Sequence, residues 1–119
     1  MNAQIVEPAL LINLRRSYRP EMSPESLYEA TRSAWYLSRE RCAKVRLAMA
    51  IAEDEIKEVY EIRAWFRDGD TRHKRDAEEL DPHRLEFIGK PADEATRRKY
   101  VGKAYPWGHN GNPVRYVNA

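Results

Sequence analysis

Apolar and polar positions sort this chain into short blocks. Ala9 to Leu14 is an apolar run too brief for a helix, followed by Arg15, Arg16, Tyr18 and Arg19 and stopped by Pro20. This predicts a buried strand that leaves the core into a basic loop. Ser23-Pro24-Glu25 then supplies an N-cap, a proline at the first helical position and an acid in the first turn. Leu27, Thr31, Ala34 and Trp35 recur at helical spacing, so a helix is expected from Pro24 to about Leu37 with that stripe buried.

The next block supports two readings. Val45, Leu47, Met49 and Ile51 alternate with Arg46 and three alanines, and Ile56, Tyr60 and Ile62 resume the apolar pattern after Glu53-Asp54-Glu55. That is the pattern of a β-hairpin. Yet residues 43–66 hold no Gly or Pro and are rich in Ala and Glu, and Ile51, Ala52, Glu55, Ile56, Val59 and Tyr60 share one face of a helix. Periodicity alone leaves hairpin and helix open.

From Asp68-Gly69-Asp70 to Arg84 nearly every residue is charged, with Gly and Pro present, so about residues 67–84 are expected as a charged loop within one domain. Arg84 to Ile88 predicts a strand with Leu85 and Phe87 inward, ended by Gly89 and Pro91. Asp93 caps a short helix through about Tyr100, whose acids near the start and bases near the end suit the helix dipole. A turn-rich stretch from Pro106 to Pro113 leads to a last strand, Val114 to Val117.

With 119 residues, 42% of them hydrophobic and 34% charged, the blocks fit a single globular domain spanning 1–119. A net charge of +2 does not mark a nucleic-acid binder, but its distribution is uneven. Residues 1–52, 53–94 and 95–119 carry balances of +3, −6 and +5, the last with no acid at all. A folded domain with that asymmetry can present one basic and one acidic face and orient an anionic ligand. The single cysteine, Cys42, excludes an internal disulfide framework and a cysteine-rich zinc site. The longest apolar stretch near the N-terminus is Ala9 to Ile12, so neither a signal peptide nor a membrane span is expected, and a cytoplasmic location is.

Catalytic sets are missing. His73, His83 and His109 lack ligand spacing, so no metal is expected, and Cys42 with a distant histidine is a pairing any chain with one of each would offer. Glu53-Asp54-Glu55 and Glu78-Glu79-Asp81 read as a turn and a solvated charge run. Gly102, Gly108 and Gly111 do not follow a strand and open a helix, as a phosphate loop must. A binding protein without cofactor is therefore expected rather than an enzyme.

The remaining chemistry is cationic and aromatic. Residues 95–119 interleave Arg97, Arg98, Lys99, Lys103 and Arg115 with Tyr100, Tyr105, Trp107 and Tyr116. Cations beside ring faces can hold a phosphate while a base stacks. The expected ligand-binding set is Arg15, Tyr18 and Arg19 on the loop after the first strand, with Arg97, Tyr100, Lys103, Tyr105, Trp107 and Arg115 as the opposite wall of one pocket. Trp35, on the helix stripe, is expected in the core.

Tyr100-Val101-Gly102-Lys103 is similar to half of the GIY-YIG nuclease signature, but the partner tripeptide and the later metal-binding glutamate are missing, which excludes that nuclease. The order strand, helix, hairpin, charged loop, strand, short helix, final strand resembles the small PUA-like barrels, which include EVE, ASCH and SRA-type domains. Leu11-Ile12-Asn13-Leu14, Ser17-Tyr18-Arg19, Leu27-Tyr28-Glu29-Ala30-Thr31-Arg32, Glu58-Val59-Tyr60-Glu61-Ile62 and Asn112-Pro113-Val114-Arg115-Tyr116-Val117-Asn118 further resemble an uncharacterised bacterial domain associated with GIY-YIG nuclease proteins. The resemblance implies an α+β fold, a PUA-like mixed β-barrel with two or three helices, in which residues 44–66 are a hairpin. It also implies a non-catalytic domain that binds a nucleotide or a nucleic-acid base, often a modified one. The alternative is a phage or defence-related interaction protein that sequesters a signalling nucleotide or blocks a protein partner, with a homo-oligomer as a further partner state.

Overall fold

The computed structural model describes residues 2–33, 35–70, 83–108 and 111–119. Its elements are β1 (Ala9–Asn13), α1 (Pro24–Arg32), α2 (Arg39–Cys42), β2 (Leu47–Ala52), β3 (Glu55–Arg67), β4 (Leu85–Pro91), α3 (Glu94–Tyr100) and β5 (Val114–Val117). The strands form one mixed sheet in the order β4-β3-β2-β1-β5. β1 and β2 are parallel, so α1 and α2 belong to a crossover, and β2, β3 and β4 follow as an antiparallel meander. β5 returns antiparallel along the far side of β1. The α+β class is the expected one, but the expected barrel is not formed: β4 and β5 end the strand order and, among the described residues, no ladder joins them.

Both faces of the sheet are buried. Leu11, Met49, Ile51, Ile56 and Val59 pack with Tyr100 and Trp107 on the α3 side. Leu10, Ile12, Leu14, Tyr60 and Phe87 form the other cluster, with Leu27, Tyr28 and Trp35 packed against it. All six residues of β2 are buried, which a sheet covered on both sides requires. This two-sided burial decides residues 43–66 for the hairpin, because a helix would bury a single stripe. Ala52 and Glu55 flank the two-residue turn Glu53-Asp54, with φ of 54° and 55°. Positive φ at both central positions matches the right-handed twist of the paired strands.

Ser23 caps α1 as expected, its hydroxyl accepting from Ser26 N at 3.1 Å. The helix nevertheless stops at Arg32, before the expected Leu37. Ser33 is extended, and Trp35 exchanges two backbone hydrogen bonds with Leu85, at 3.0 and 2.8 Å. Pairing with an otherwise bare strand edge here outweighs the continued helical stripe. The one-turn α2, capped by Ser38, has no counterpart in the sequence expectations. Of the charged loop expected at about 67–84, Arg67 ends β3, residues 68–70 form a turn, and 71–82 lie outside the described residues.

The β4 edge is covered from Leu85 to Gly89. Beyond the Trp35 contact, Arg32 Nη1 donates to the Phe87 carbonyl at 3.3 Å, and Gly89 N donates to the Tyr28 hydroxyl at 2.9 Å. Leu85, Phe87 and Gly89 are the alternate positions whose backbone groups face away from β3. Thus α1 and the chain after it close one edge to further strand pairing. Among the described residues no helix is long and apolar enough to cross a membrane.

Candidate functional site

The structure separates the nine expected site residues. Tyr100 and Trp107 are 1% and 4% exposed and belong to the core on the α3 side. Neither ring keeps a face for a ligand, which corrects their expected stacking role. The Tyr100 hydroxyl donates to Glu7 Oε1 at 2.7 Å and accepts from Val6 N at 3.2 Å, tying the N-terminal segment to α3. Burial pushes the Glu7 carboxyl up, but hydrogen bonds from Tyr100 and Lys99 outweigh it and hold the group below its ordinary value.

The segment after α3 is strapped to the β2–β3 turn. Tyr105 N donates to the Asp54 carbonyl at 2.7 Å, and Trp107 N to Asp54 Oδ1 at 3.1 Å. Arg115 lies over the Trp107 ring, 4.2 Å from its centroid, and donates to Trp107 O at 3.1 Å and to the Tyr105 hydroxyl at 3.3 Å. Tyr105, Trp107 and Arg115 are therefore one structural cluster.

Three of the five bases in residues 95–119 are paired with acids from outside that segment. Arg97 grips Glu58 through two bonds of 2.8 and 3.1 Å, Arg98 reaches Glu94 at 2.6 Å, and Lys99 reaches Glu7 at 3.0 Å. The acid-free stretch of sequence is thus not acid-free in space. Lys103 is exposed and lines, with Asn2, Gln4, Val6 and Lys99, a cavity away from the loop that follows β1.

That loop does meet part of the C-terminal segment. Ser17 N and Tyr18 N donate to the Leu14 carbonyl at 3.0 and 2.8 Å, and Arg15 N to Asn13 Oδ1 at 3.1 Å, which folds the chain back as β1 ends. Arg15, Arg16 and Ser17 then face Gly111 and Pro113 across a cavity of about 360 Å³ that Trp35 floors. A second cavity of about 320 Å³ adjoins it, lined by Trp35, Tyr36, Arg84, Asn112, Pro113 and Val114. The two share Trp35 and Pro113 and form one groove at the rim of the sheet. Arg19 instead folds onto its own loop, donating to Tyr18 O at 2.9 Å. Tyr18 packs against the α1-side cluster, with Lys57 Nζ 5.1 Å from its ring centroid.

The groove combines cations and rings. Tyr36 is 63% exposed, and the Arg84 guanidinium sits 4.7 Å from its ring centroid. Trp35 is half-buried and fixed by its indole bond to Thr31 O at 2.8 Å, while its backbone is held by Leu85. Among the described residues, neither lining contains an acidic residue. Of the expected set only Arg15 lines the groove; Arg16, Trp35, Tyr36 and Arg84 complete it. Among the described residues, no cluster of His, Cys, Asp and Glu could hold a metal ion. Cys42 is 1% exposed, and burial pushes its thiol pKa up despite a hydrogen bond with Tyr116, the surroundings of a structural thiol. Comparison with protein-family models, with curated proteins and with solved structures finds no match to this chain.

Proposed function

We propose that the protein is a non-catalytic binding domain for a nucleotide or nucleic-acid base, and that the rim groove between the loop after β1 and residues 111–114 is its site. The observation that carries this is the juxtaposition of Arg15, Arg16 and Arg84 with Trp35 and Tyr36. Each half of the groove is near the lower size of small-molecule sites, enough for one base or one phosphate. In this reading Tyr36 or Trp35 stacks on the base, and the guanidinium groups take the phosphate in forked hydrogen bonds. The resemblance to PUA-like domains points the same way, although the open sheet sets this chain apart from a closed barrel.

The test is binding of nucleotides and short single-stranded oligonucleotides, followed by tryptophan fluorescence and by anisotropy. Three phosphate contacts predict a slope of log affinity on log salt of about −2. Tyr36→Ala combined with Arg16→Ala should abolish detectable binding, and Lys103→Ala should leave it unchanged. Binding that survives the double change, or none for any nucleotide at low salt, overturns the assignment.

A further inference from the structure

The two edges of the sheet are covered to different extents. At β4, Trp35 takes both outward groups of Leu85, Arg32 takes the Phe87 carbonyl and Tyr28 the Gly89 N–H. At β5, Asn13 N donates to Pro113 O at 2.7 Å, which fixes the alternation: residues 113, 115 and 117 face β1, while Val114 and Tyr116 face outward. The Val114 N–H is taken by Asn112 Oδ1 at 3.1 Å. The Val114 carbonyl and both backbone groups of Tyr116 have no partner among the described residues. Acceptor, donor and acceptor then stand in the order one added strand requires.

Two guanidinium groups flank this edge, one on each face of the sheet. Arg115 lies beside it on the α3 side, over Trp107. Arg41 lies on the α1 side, its guanidinium 3.9 Å from the Tyr116 ring centroid. Among the described residues neither has a carboxylate partner, and neither does Arg39 on the same short helix. A second copy of the chain paired about a two-fold axis would bring these guanidinium groups against their own images, which like-charge repulsion opposes.

We infer that β5 is a docking edge for an extended acidic segment of a partner protein, added antiparallel or parallel as a sixth strand. Backbone bonds to Val114 O and to Tyr116 N and O would give affinity. Carboxylates at neighbouring positions of the segment, which point to opposite faces of the sheet, would meet Arg115 and Arg41. The edge meets the groove at Val114, but neither Arg41, Arg115 nor Tyr116 lines the groove, so the two assignments are tested by different residues.

The experiment titrates the protein with a short peptide of Val and Thr around a central Glu-Glu pair, and with its Lys-Lys counterpart, and follows amide hydrogen exchange by NMR. The acidic peptide should bind and slow exchange at the Tyr116 amide at least about tenfold, leaving the already paired Arg115 and Val117 amides unchanged. Arg41→Glu should weaken it about tenfold, and Tyr36→Ala should have no effect. Four results overturn the inference: no binding up to about 1 mM, binding without protection at Tyr116, equal binding of the Lys-Lys peptide, or Tyr116 protection that grows with protein concentration alone. The last would make a second copy the occupant.

Discussion

Tyr100→Phe tests the anchoring role of the Tyr100 hydroxyl. The phenyl ring fills the same space in the α3-side core, so packing is retained and only the hydroxyl is lost. That hydroxyl donates to Glu7 Oε1 at 2.7 Å and accepts from Val6 N at 3.2 Å. A hydrogen bond to a charged group contributes about 1.5–3 kcal/mol and one to a neutral amide about 1 kcal/mol. Lys99 remains on the same carboxylate oxygen at 3.0 Å, so the lower end applies and the total loss is about 2 kcal/mol. For a domain of this size that lowers Tm by about 8 °C.

The loss should also depend on pH. The folded Glu7 carboxyl lies below its ordinary value of 4.5, so its stabilisation is fully present above that value and is lost as pH falls through the folded pKa. The gap between wild type and variant should therefore narrow in acid. Circular-dichroism melts across the acid range, with denaturant titrations to confirm an unchanged slope, measure both effects. Nucleotide affinity at the groove should be unaltered. A Tm within about 1 °C of wild type, or a gap that persists unchanged into acid, refutes the anchoring role.

Three further changes test the frame. Arg32→Met leaves Glu86, whose side chain is 0% exposed, without its guanidinium neighbour at 3.5 Å and uncovers the Phe87 carbonyl; denaturant unfolding should show a loss of about 3–5 kcal/mol, part of which Glu86→Gln restores. Glu53→Asn relieves a left-handed residue in the hairpin turn at the expense of an exposed ion pair with Lys57, so stability should rise by about 0.5 kcal/mol, and a fall would count against turn strain. Gly89→Ala drives a Cβ into the Glu61 carbonyl of the paired strand and should cost about 2 kcal/mol, with no effect expected if β4 can slide away.

Much of the frame is legible from local pattern. The Ser23-Pro24-Glu25 start of α1, the Asp93 cap of α3 and the positions of β1, β4 and β5 follow from turn chemistry and apolar spacing. What local pattern misses is decided by partners distant in sequence. Nothing around Trp35 signals that Leu85 will claim its backbone, so the helix was expected to run on. Hairpin and helix stayed balanced over residues 43–66 because the alanines of β2 suit either state, and only burial of both its faces selects the strand. The barrel failed for a related reason: Arg32, Tyr28 and Trp35 already occupy the β4 edge that closure would need.

The same distance effect moved the candidate site. An acid-free run in sequence reads as an exposed cationic surface only if its bases stay unpaired, yet Glu58 and Glu7 lie 39 and 92 residues from their partners Arg97 and Lys99. Charge counted along the chain cannot see such pairs, and charge counted in space can. Trp107 and Arg115 were lost to the site in a similar way, because a ring and a guanidinium that suit a nucleotide also suit each other. What survives is the part of the expectation that rested on topology rather than composition. β1 and β5 are neighbours, so the loop leaving β1 must face the chain arriving at β5, and that forced proximity makes the rim groove. Trp35 and Tyr36 join it because the chain after α1, drawn across to the β4 edge by Leu85, passes over the same rim.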